Sequence, residues 1–149
     1  MQLASLLSLL VAAQPVPAAT AAPVEKTAAR HSEAAWCGQA VRRTEDVVYG
    51  RKFGTALTMD VFQPVSSNAC GILFLVNGGW LSSKDTPLMV TIQPDYYRPF
   101  LERGYTVFAV VTSSQPKFTI LEEMDDVRRA VRFVRHNAAK FGVQFARQR

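Results

Sequence analysis

Residues Gly71-Ile72-Leu73-Phe74-Leu75-Val76 form an unbroken apolar run that stops at Asn77-Gly78-Gly79-Trp80. A run of this kind, rich in branched and aromatic side chains, predicts a strand buried on both faces of a parallel sheet. Tyr105 to Val111 forms a second run of the same character. Upstream, Val47-Val48-Tyr49 and Thr55 to Phe62 flank a turn bracketed by Gly50 and Gly54. The second stretch alternates, with Leu57, Met59 and Val61 on one face and Thr58 and Asp60 on the other. That pattern predicts a β-hairpin with one half-buried strand. Gln63-Pro64 ends it, and Ser66-Ser67-Asn68 reads as loop.

Two segments carry a helical period instead. One begins around Pro94-Asp95, has Tyr97, Phe100 and Leu101 as its apolar stripe, and closes at Arg103-Gly104. The other runs from about Ile120 to Lys140. Leu121, Met124, Val127, Val131, Val134, Ala138 and Phe141 recur in it at three- and four-residue steps. Glu122, Glu123, Asp125 and Asp126 lie in its first turns and basic residues in its later ones, as the helix dipole favours, and Gly142 is placed to cap it. The order hairpin, strand, helix, strand, helix predicts an α/β layer fold with parallel pairing. No internal repeat is visible.

The N-terminus changes the domain picture. Leu3 to Ala13 is apolar but too short to span a bilayer, and small residues follow through Ala18–Ala22. Residues 1–22 read as a signal peptide lacking a basic leading region, with a retained anchor as the competing reading. Export to a secreted or periplasmic location is the expectation, with no stable membrane span. Residues 23–44, Ala-rich with scattered charge, read as a linker or loose arm, and residues 45–149 as the folded domain. An apolar content of 48% supports a core for one domain and argues against disorder throughout.

Charge adds little. The net +5 is concentrated after Asp126, in Arg128, Arg129, Arg132, Arg135, Lys140, Arg147 and Arg149. The segment reads as a solvated helix face with a basic tail, or as a polyanion-binding patch. No stacking aromatics or nucleic-acid motif accompany it, so nucleic acid is not an expected partner. Cys37 and Cys70 could pair in an exported protein, or remain two separate thiols. With His31 and His136 they give no metal-site spacing, so no metal and no cofactor are expected.

The chemistry lies at Asn77-Gly78-Gly79-Trp80. A glycine pair at the carboxyl end of a parallel strand can turn amide N–H groups toward a developing negative oxygen, which is how an oxyanion hole is built. The same four residues could instead be a plain glycine turn with Trp80 packed for structure. Phosphate binding is disfavoured, because neither Gly-x-Gly-x-x-Gly nor the Walker pattern occurs.

From Val48 to Val143 the chain resembles the α/β-hydrolase superfamily, most nearly the secreted esterase and lipase branch with feruloyl and acetylxylan esterase-like enzymes. Four pieces carry the likeness in order. Val48-Tyr49-Gly50 through Leu57-Thr58-Met59-Asp60-Val61-Phe62-Gln63-Pro64 resembles the opening hairpin. Gly71 to Trp80 resembles the third strand and oxyanion loop, Tyr97 to Val107 the first helix and fourth strand, and Asp125 to Arg135 the helix leading to the nucleophile strand. The resemblance implies the N-terminal portion of an α/β-hydrolase fold and a carboxylic-ester hydrolase. Gly78, Gly79 and Trp80 would form the oxyanion hole, with Gly79 and Trp80 as donors. Asn77, which stands where many relatives have histidine, would orient the loop. The implied substrate is a small-molecule or polysaccharide-linked ester.

One element is missing. The Gly-x-Ser-x-Gly turn that presents a seryl nucleophile occurs nowhere, and Ser82, Ser83, Ser113 and Ser114 lack its glycine flanks. His136 falls on the polar side of its helix. The expectation is therefore a fragment with no catalytic residue of its own, probing as inactive alone; the alternatives are a non-catalytic interaction module using the basic helix, or another hydrolase of the superfamily such as a peptidase. The family's sheet would leave Gly71–Val76 as an unpaired apolar edge, which predicts poor solubility.

Overall fold

The computed structural model describes residues 31–36, 39–83 and 95–144. Its strands are β1 (His31–Trp36), β2 (Gln39–Lys52), β3 (Thr55–Pro64), β4 (Gly71–Leu75) and β5 (Thr106–Val110). Helix α1 covers residues 95–101, and α2 covers Ile120–His136. The strands form one five-stranded sheet in the order β1-β2-β3-β5-β4. The first three are antiparallel neighbours, β5 runs antiparallel to β3, and β4 pairs with β5 in parallel. The expected hairpin and parallel pair are therefore both present, in one mixed sheet.

The hairpin between β2 and β3 turns at Phe53 and Gly54, both with positive φ, between the paired residues Lys52 and Thr55. Positive φ at both central residues has the hand that matches strand twist. Helix α1 ends where Gly104, at φ +83°, donates to the Leu101 carbonyl, 2.9 Å. A Cβ at Gly104 would lie 2.7 Å from the Ser66 carbonyl oxygen, so the position also needs glycine for space.

The two helices cover opposite faces of the sheet. On one face Tyr49, Leu57, Met59, Val61, Phe108 and Val110 pack with Ala130 and Val134 of α2 and with Phe141 and Val143 beyond it. On the other, Val41, Phe62, Val76, Val107 and Ala109 pack with Tyr97 and Leu101 of α1. Alternation along β5 feeds both cores, and every residue of that strand is buried.

Four expectations need correction. The arm assigned to residues 23–44 is strand from His31 to Trp36 and again from Gln39 onward. The ladder from Val41 opposite Pro64 to Thr44 opposite Val61 extends β2 upstream, and β1 adds to it. Backbone pairing to β3 fixes this segment, although its Ala-, Ser- and Glu-rich sequence carries no alternation. The signal segment 1–22 lies outside the described residues. Next, β4 is not buried on both faces: its residues are half-buried, and Leu75 is 42% exposed. It is the outer strand, with β5 as its only partner among the described residues.

The third correction concerns α2. Its buried residues are Glu123, Asp126, Ala130 and Val134, whereas Leu121 is 78% exposed and Met124 42%. The helix turns two acidic side chains toward the sheet and leaves the upper part of its apolar stripe uncovered. Finally, α2 ends at His136 with Asn137 as its cap, and Gly142 sits in a later turn at φ +63°. Its start is a capping box. Thr119 N–H and Oγ1 both donate to Glu122 Oε2, at 2.8 and 2.9 Å, and Glu122 N–H returns to Thr119 Oγ1. The backbone bond from Thr119, more than its hydroxyl, holds the Glu122 carboxyl below its ordinary range. Among the described residues no helix is long and apolar enough to cross a membrane.

Candidate functional site

Two loops leave the carboxyl ends of the parallel strands, the position at which open α/β sheets take their ligands. After β4, Val76 N–H still donates to the Val110 carbonyl at 2.9 Å, and the chain then departs at Asn77. Gly78 and Leu81 close a tight turn through paired bonds, Gly78 N–H to Leu81 O at 2.9 Å and Leu81 N–H to Gly78 O at 3.1 Å. The central residues Gly79 and Trp80 have φ of +61° and +64°. Positive φ at both is the type I′ signature. Gly79 has nothing within 4 Å of its missing Cβ, so glycine is required there by conformation rather than crowding. For a bulky residue such as Trp80 the same conformation is strained, and it persists only where surrounding bonds hold it.

Those bonds are present. Trp80 N–H donates to Asn77 Oδ1 at 3.1 Å, and Gln115 N–H donates to the Trp80 carbonyl at 3.1 Å. Beyond the turn, Ser82 Oγ donates to Val76 O at 2.6 Å and accepts from Thr112 N–H at 2.9 Å. Ser82 N–H donates to Ser114 Oγ, and that hydroxyl donates back to Ser82 O. The loop after β4 is thus laced to the loop after β5. The serines set aside as nucleophiles from their flanking sequence act as braces: Ser82 and Ser114 here, and Ser113 through Asp126.

These contacts occupy part of the expected oxyanion hole. Of the two expected donors, Gly79 and Trp80, Trp80 N–H is taken by Asn77, and the N–H of the neighbouring Gly78 is taken by Leu81. The Asn77 side chain accepts one of the two expected donor amides, that of Trp80, and donates to Glu123. Among the described residues nothing accepts from Gly79 N–H.

Beneath the turn lie two buried carboxylates that sequence reasoning missed. Asp126, 1% exposed, accepts from Ser113 N–H at 3.1 Å and Ser113 Oγ at 2.6 Å, and pairs with Lys52 Nζ at 2.9 Å. Lys52 reaches it from the end of β2 and lies 4.4 Å above the Phe118 ring. Arg129 stands 3.7 Å from the other Asp126 oxygen. Glu123, 2% exposed, accepts from Asn77 Nδ2 at 3.3 Å. Near Asp126, Tyr49 donates its hydroxyl to the Val111 carbonyl at 2.9 Å, and burial, reinforced by the Asp126 charge, pushes its phenol well above the usual range. The available signal was the i, i+3 spacing of Glu123 and Asp126, which puts both on one helix face.

The remaining candidates lie apart. Cys70 is exposed with a free thiol, and Cys37, its suggested partner, lies outside the described residues. His136 is in the last turn of α2, at the far end from the site. Part of the basic face is neutralised locally, with Arg128 on Asp125 at 2.7 Å.

Comparison with known proteins places this geometry. The BD-FAE family model matches residues 59–147, more than half of the chain. No curated protein matches. Among solved structures, esterase B of Lactobacillus rhamnosis superposes with a TM-score of 0.55 at 17% identity, over 70% of this chain and 32% of that one. Esterase Est2 of the planctomycete Thermogutta terrifontis gives 0.54 at 26% identity, over 66% of this chain and 36% of its own. An arylesterase gives 0.55 at 16% identity, over 68% and 32%. The chain therefore spans about a third of the length of the structures it matches. The family match runs from within β3 through the parallel pair and both helices, and the chain belongs to the esterase-related BD-FAE family of α/β-hydrolase fold.

Proposed function

We propose that this chain carries the oxyanion-binding side of a carboxylic-ester hydrolase, with Gly79 N–H as its donor. The observation that carries the reading is the accounting of amides at the turn. Both backbone groups of Trp80 are pinned, Gly78 N–H is closed within the turn, and Gly79 N–H, at the carboxyl end of a parallel strand, has no acceptor among the described residues. In hydrolases of this architecture the loop after this strand supplies one amide, and the residue following the nucleophile supplies the other. A single free donor is thus the complement that such a loop owes the site.

The chemistry follows. A serine attacking the ester carbonyl places negative charge on the carbonyl oxygen, and Gly79 N–H, held rigidly by the turn, stabilises it without reorganisation. The attacking serine, the acid and the base come from sequence that these 149 residues do not contain. The Ser82, Ser113 and Ser114 hydroxyls are committed to bracing bonds. The substrate class is a small-molecule or polysaccharide-linked ester, and the apolar leader in residues 1–22 suits an exported enzyme.

The test uses p-nitrophenyl acetate and paraoxon, an organophosphate that phosphorylates esterase 2 of Thermogutta terrifontis. The 149-residue chain should show neither turnover nor a covalent adduct by mass spectrometry. A chimera joining residues 1–144 to the remaining C-terminal part of that esterase should hydrolyse the ester. Replacing the Gly79 amide by a backbone ester should then lower kcat by roughly 10²–10³ with little change in KM. Turnover by the chain alone, or an unchanged kcat in the substituted chimera, overturns the reading.

A further inference from the structure

We propose that Glu123 is a positioning residue for the oxyanion turn, acting through Asn77. This rests on the reading of Gly79 N–H as the free donor and extends it one step into the helix. Glu123 is 2% exposed in the face of α2 that otherwise buries Ala130 and Val134. Its Oε1 is buried with no hydrogen-bond partner, and Oε2 has one among the described residues, Asn77 Nδ2 at 3.3 Å. A carboxylate in that position costs stability that an apolar side chain would not. Asp126, one turn on, is balanced by Lys52, whereas no cation stands at ion-pair distance from Glu123 among the described residues. Packing therefore does not account for the residue, and its single bond does.

What that bond does follows from the geometry of a carboxamide. Asn77 can present either its oxygen or its NH2 toward the turn. An acceptor on the helix side fixes the NH2 toward Glu123, and Oδ1 must then face the turn, where it takes Trp80 N–H at 3.1 Å. With the amide reversed, NH2 would face Trp80 N–H, donor against donor, and the strained φ of +64° at Trp80 would lose its support. Glu123 thus selects which amide of the turn is consumed and which is left free. It touches no reacting atom.

The coupling is read by amide hydrogen exchange on the 15N-labelled full chain. In the wild type Trp80 N–H should be protected and Gly79 N–H should exchange freely. Glu123→Ala should lower protection at Trp80 by roughly tenfold, the worth of one hydrogen bond, while leaving Phe108 and Val110 in β5 unchanged. Glu123→Gln, which keeps an acceptor oxygen, should restore most of it. Asn77→Asp sets two carboxylates against each other and should also strip Trp80; adding Glu123→Gln should recover it. Protection at Trp80 within twofold of wild type in Glu123→Ala overturns the proposal. So does a loss spread equally over β5, which would make Glu123 a general brace, or a failure of the double variant to recover. These readouts do not involve turnover. The ester-hydrolase reading can therefore fail in the chimera while the Glu123 coupling stands, and the reverse.

Discussion

Strands β4 and β5 carry the same kind of sequence and meet opposite fates. Both are short, apolar and rich in branched and aromatic side chains, and they pair in parallel from Gly71 opposite Thr106 to Leu75 opposite Val110. Yet β5 is buried throughout and β4 is half-buried. The difference is not in the residues but in the neighbours. β5 has β3 on one side and β4 on the other, with a helix on each face. Among the described residues β4 has β5 alone as a strand neighbour, and its residues stay partly exposed. An apolar run reports that a segment is suited to burial; the sheet around it decides whether burial is achieved.

The largest test sets the two strands against each other directly. Phe108→Ala removes a fully buried ring that stacks edge-on against Phe141 at 5.2 Å, and should cost about 3–5 kcal/mol in urea unfolding. Phe74→Ala on β4 removes a half-buried ring held by Tyr96 and Tyr97, and should cost about 1–2 kcal/mol. Equal costs would mean that β4 is covered in solution, and would break the comparison. The next test acts where the loop after β5 is anchored. Lys52→Met leaves the Asp126 carboxylate buried beside Ser113 with only Arg129, at 3.7 Å, in reach. Removing one partner of a buried pair should cost about 3 kcal/mol, seen as a lowered urea midpoint with an unchanged slope. A loss below about 1 kcal/mol would show that Arg129 takes over the charge.

How far the sequence reached follows the same division. Local signals located the hairpin, both parallel strands, both helices and the glycine turn, because each depends on periodicity or on a residue's own conformational freedom. Strand β1 escaped because Ser32, Glu33, Ala34 and Ala35 have no alternation; its pairing is a backbone event with Arg43, Arg42, Val41 and Ala40 opposite. The exposure of Leu121 escaped because a helical stripe shows which residues are apolar, not what lies against them. Glu123 and Asp126 escaped because their partners, Asn77 and Lys52, are far away in sequence. At the site itself, the local reach of Asn77 was legible as a possibility for that residue type. That it would capture Trp80 N–H, and so spend an expected donor, depends on Glu123 and on three-dimensional packing.

A smaller test falls at the seam between the two strands. Tyr97 of α1 is fully buried, with its ring 5.1 Å from Phe62 of β3 and 5.0 Å from Phe74 of β4, and its hydroxyl has no partner. Tyr97→Phe should raise stability by about 1 kcal/mol, since it deletes an unpaired buried hydroxyl and keeps the ring. The pH dependence should change as well. Burial, reinforced by Asp60 and opposed by Arg43, raises the phenol well above its ordinary 10.0. A group raised in the folded state contributes stability that is complete below the unfolded value and is lost as pH rises past it. The wild type should therefore lose stability above about pH 10, and the variant should lose less, Tyr49 accounting for the remainder. Identical alkaline profiles would show that Tyr97 is reached by solvent, and that the seam beside β4 is open as well as its edge.

The smallest effect on stability comes from Leu75→Lys, and it bears most directly on why β4 differs from β5. Leu75 is 42% exposed at the end of the outer strand, so the substitution removes little packing and should move the urea midpoint by no more than about 0.5 kcal/mol. Its consequence lies between molecules. An outer strand presents unpaired N–H and C=O groups, and an apolar side chain beside them invites a second chain to add; a lysine opposes this by charge and by the desolvation it would require. Sedimentation velocity should show wild-type chains associating as concentration rises, and Leu75→Lys chains remaining monomeric. The equivalent change in β5, Val110→Lys, should unfold the domain instead, because that position is fully buried between two strands. If wild type and Leu75→Lys sediment alike as monomers, the outer strand is protected by something other than its side chains, and exposure alone does not distinguish β4 from β5.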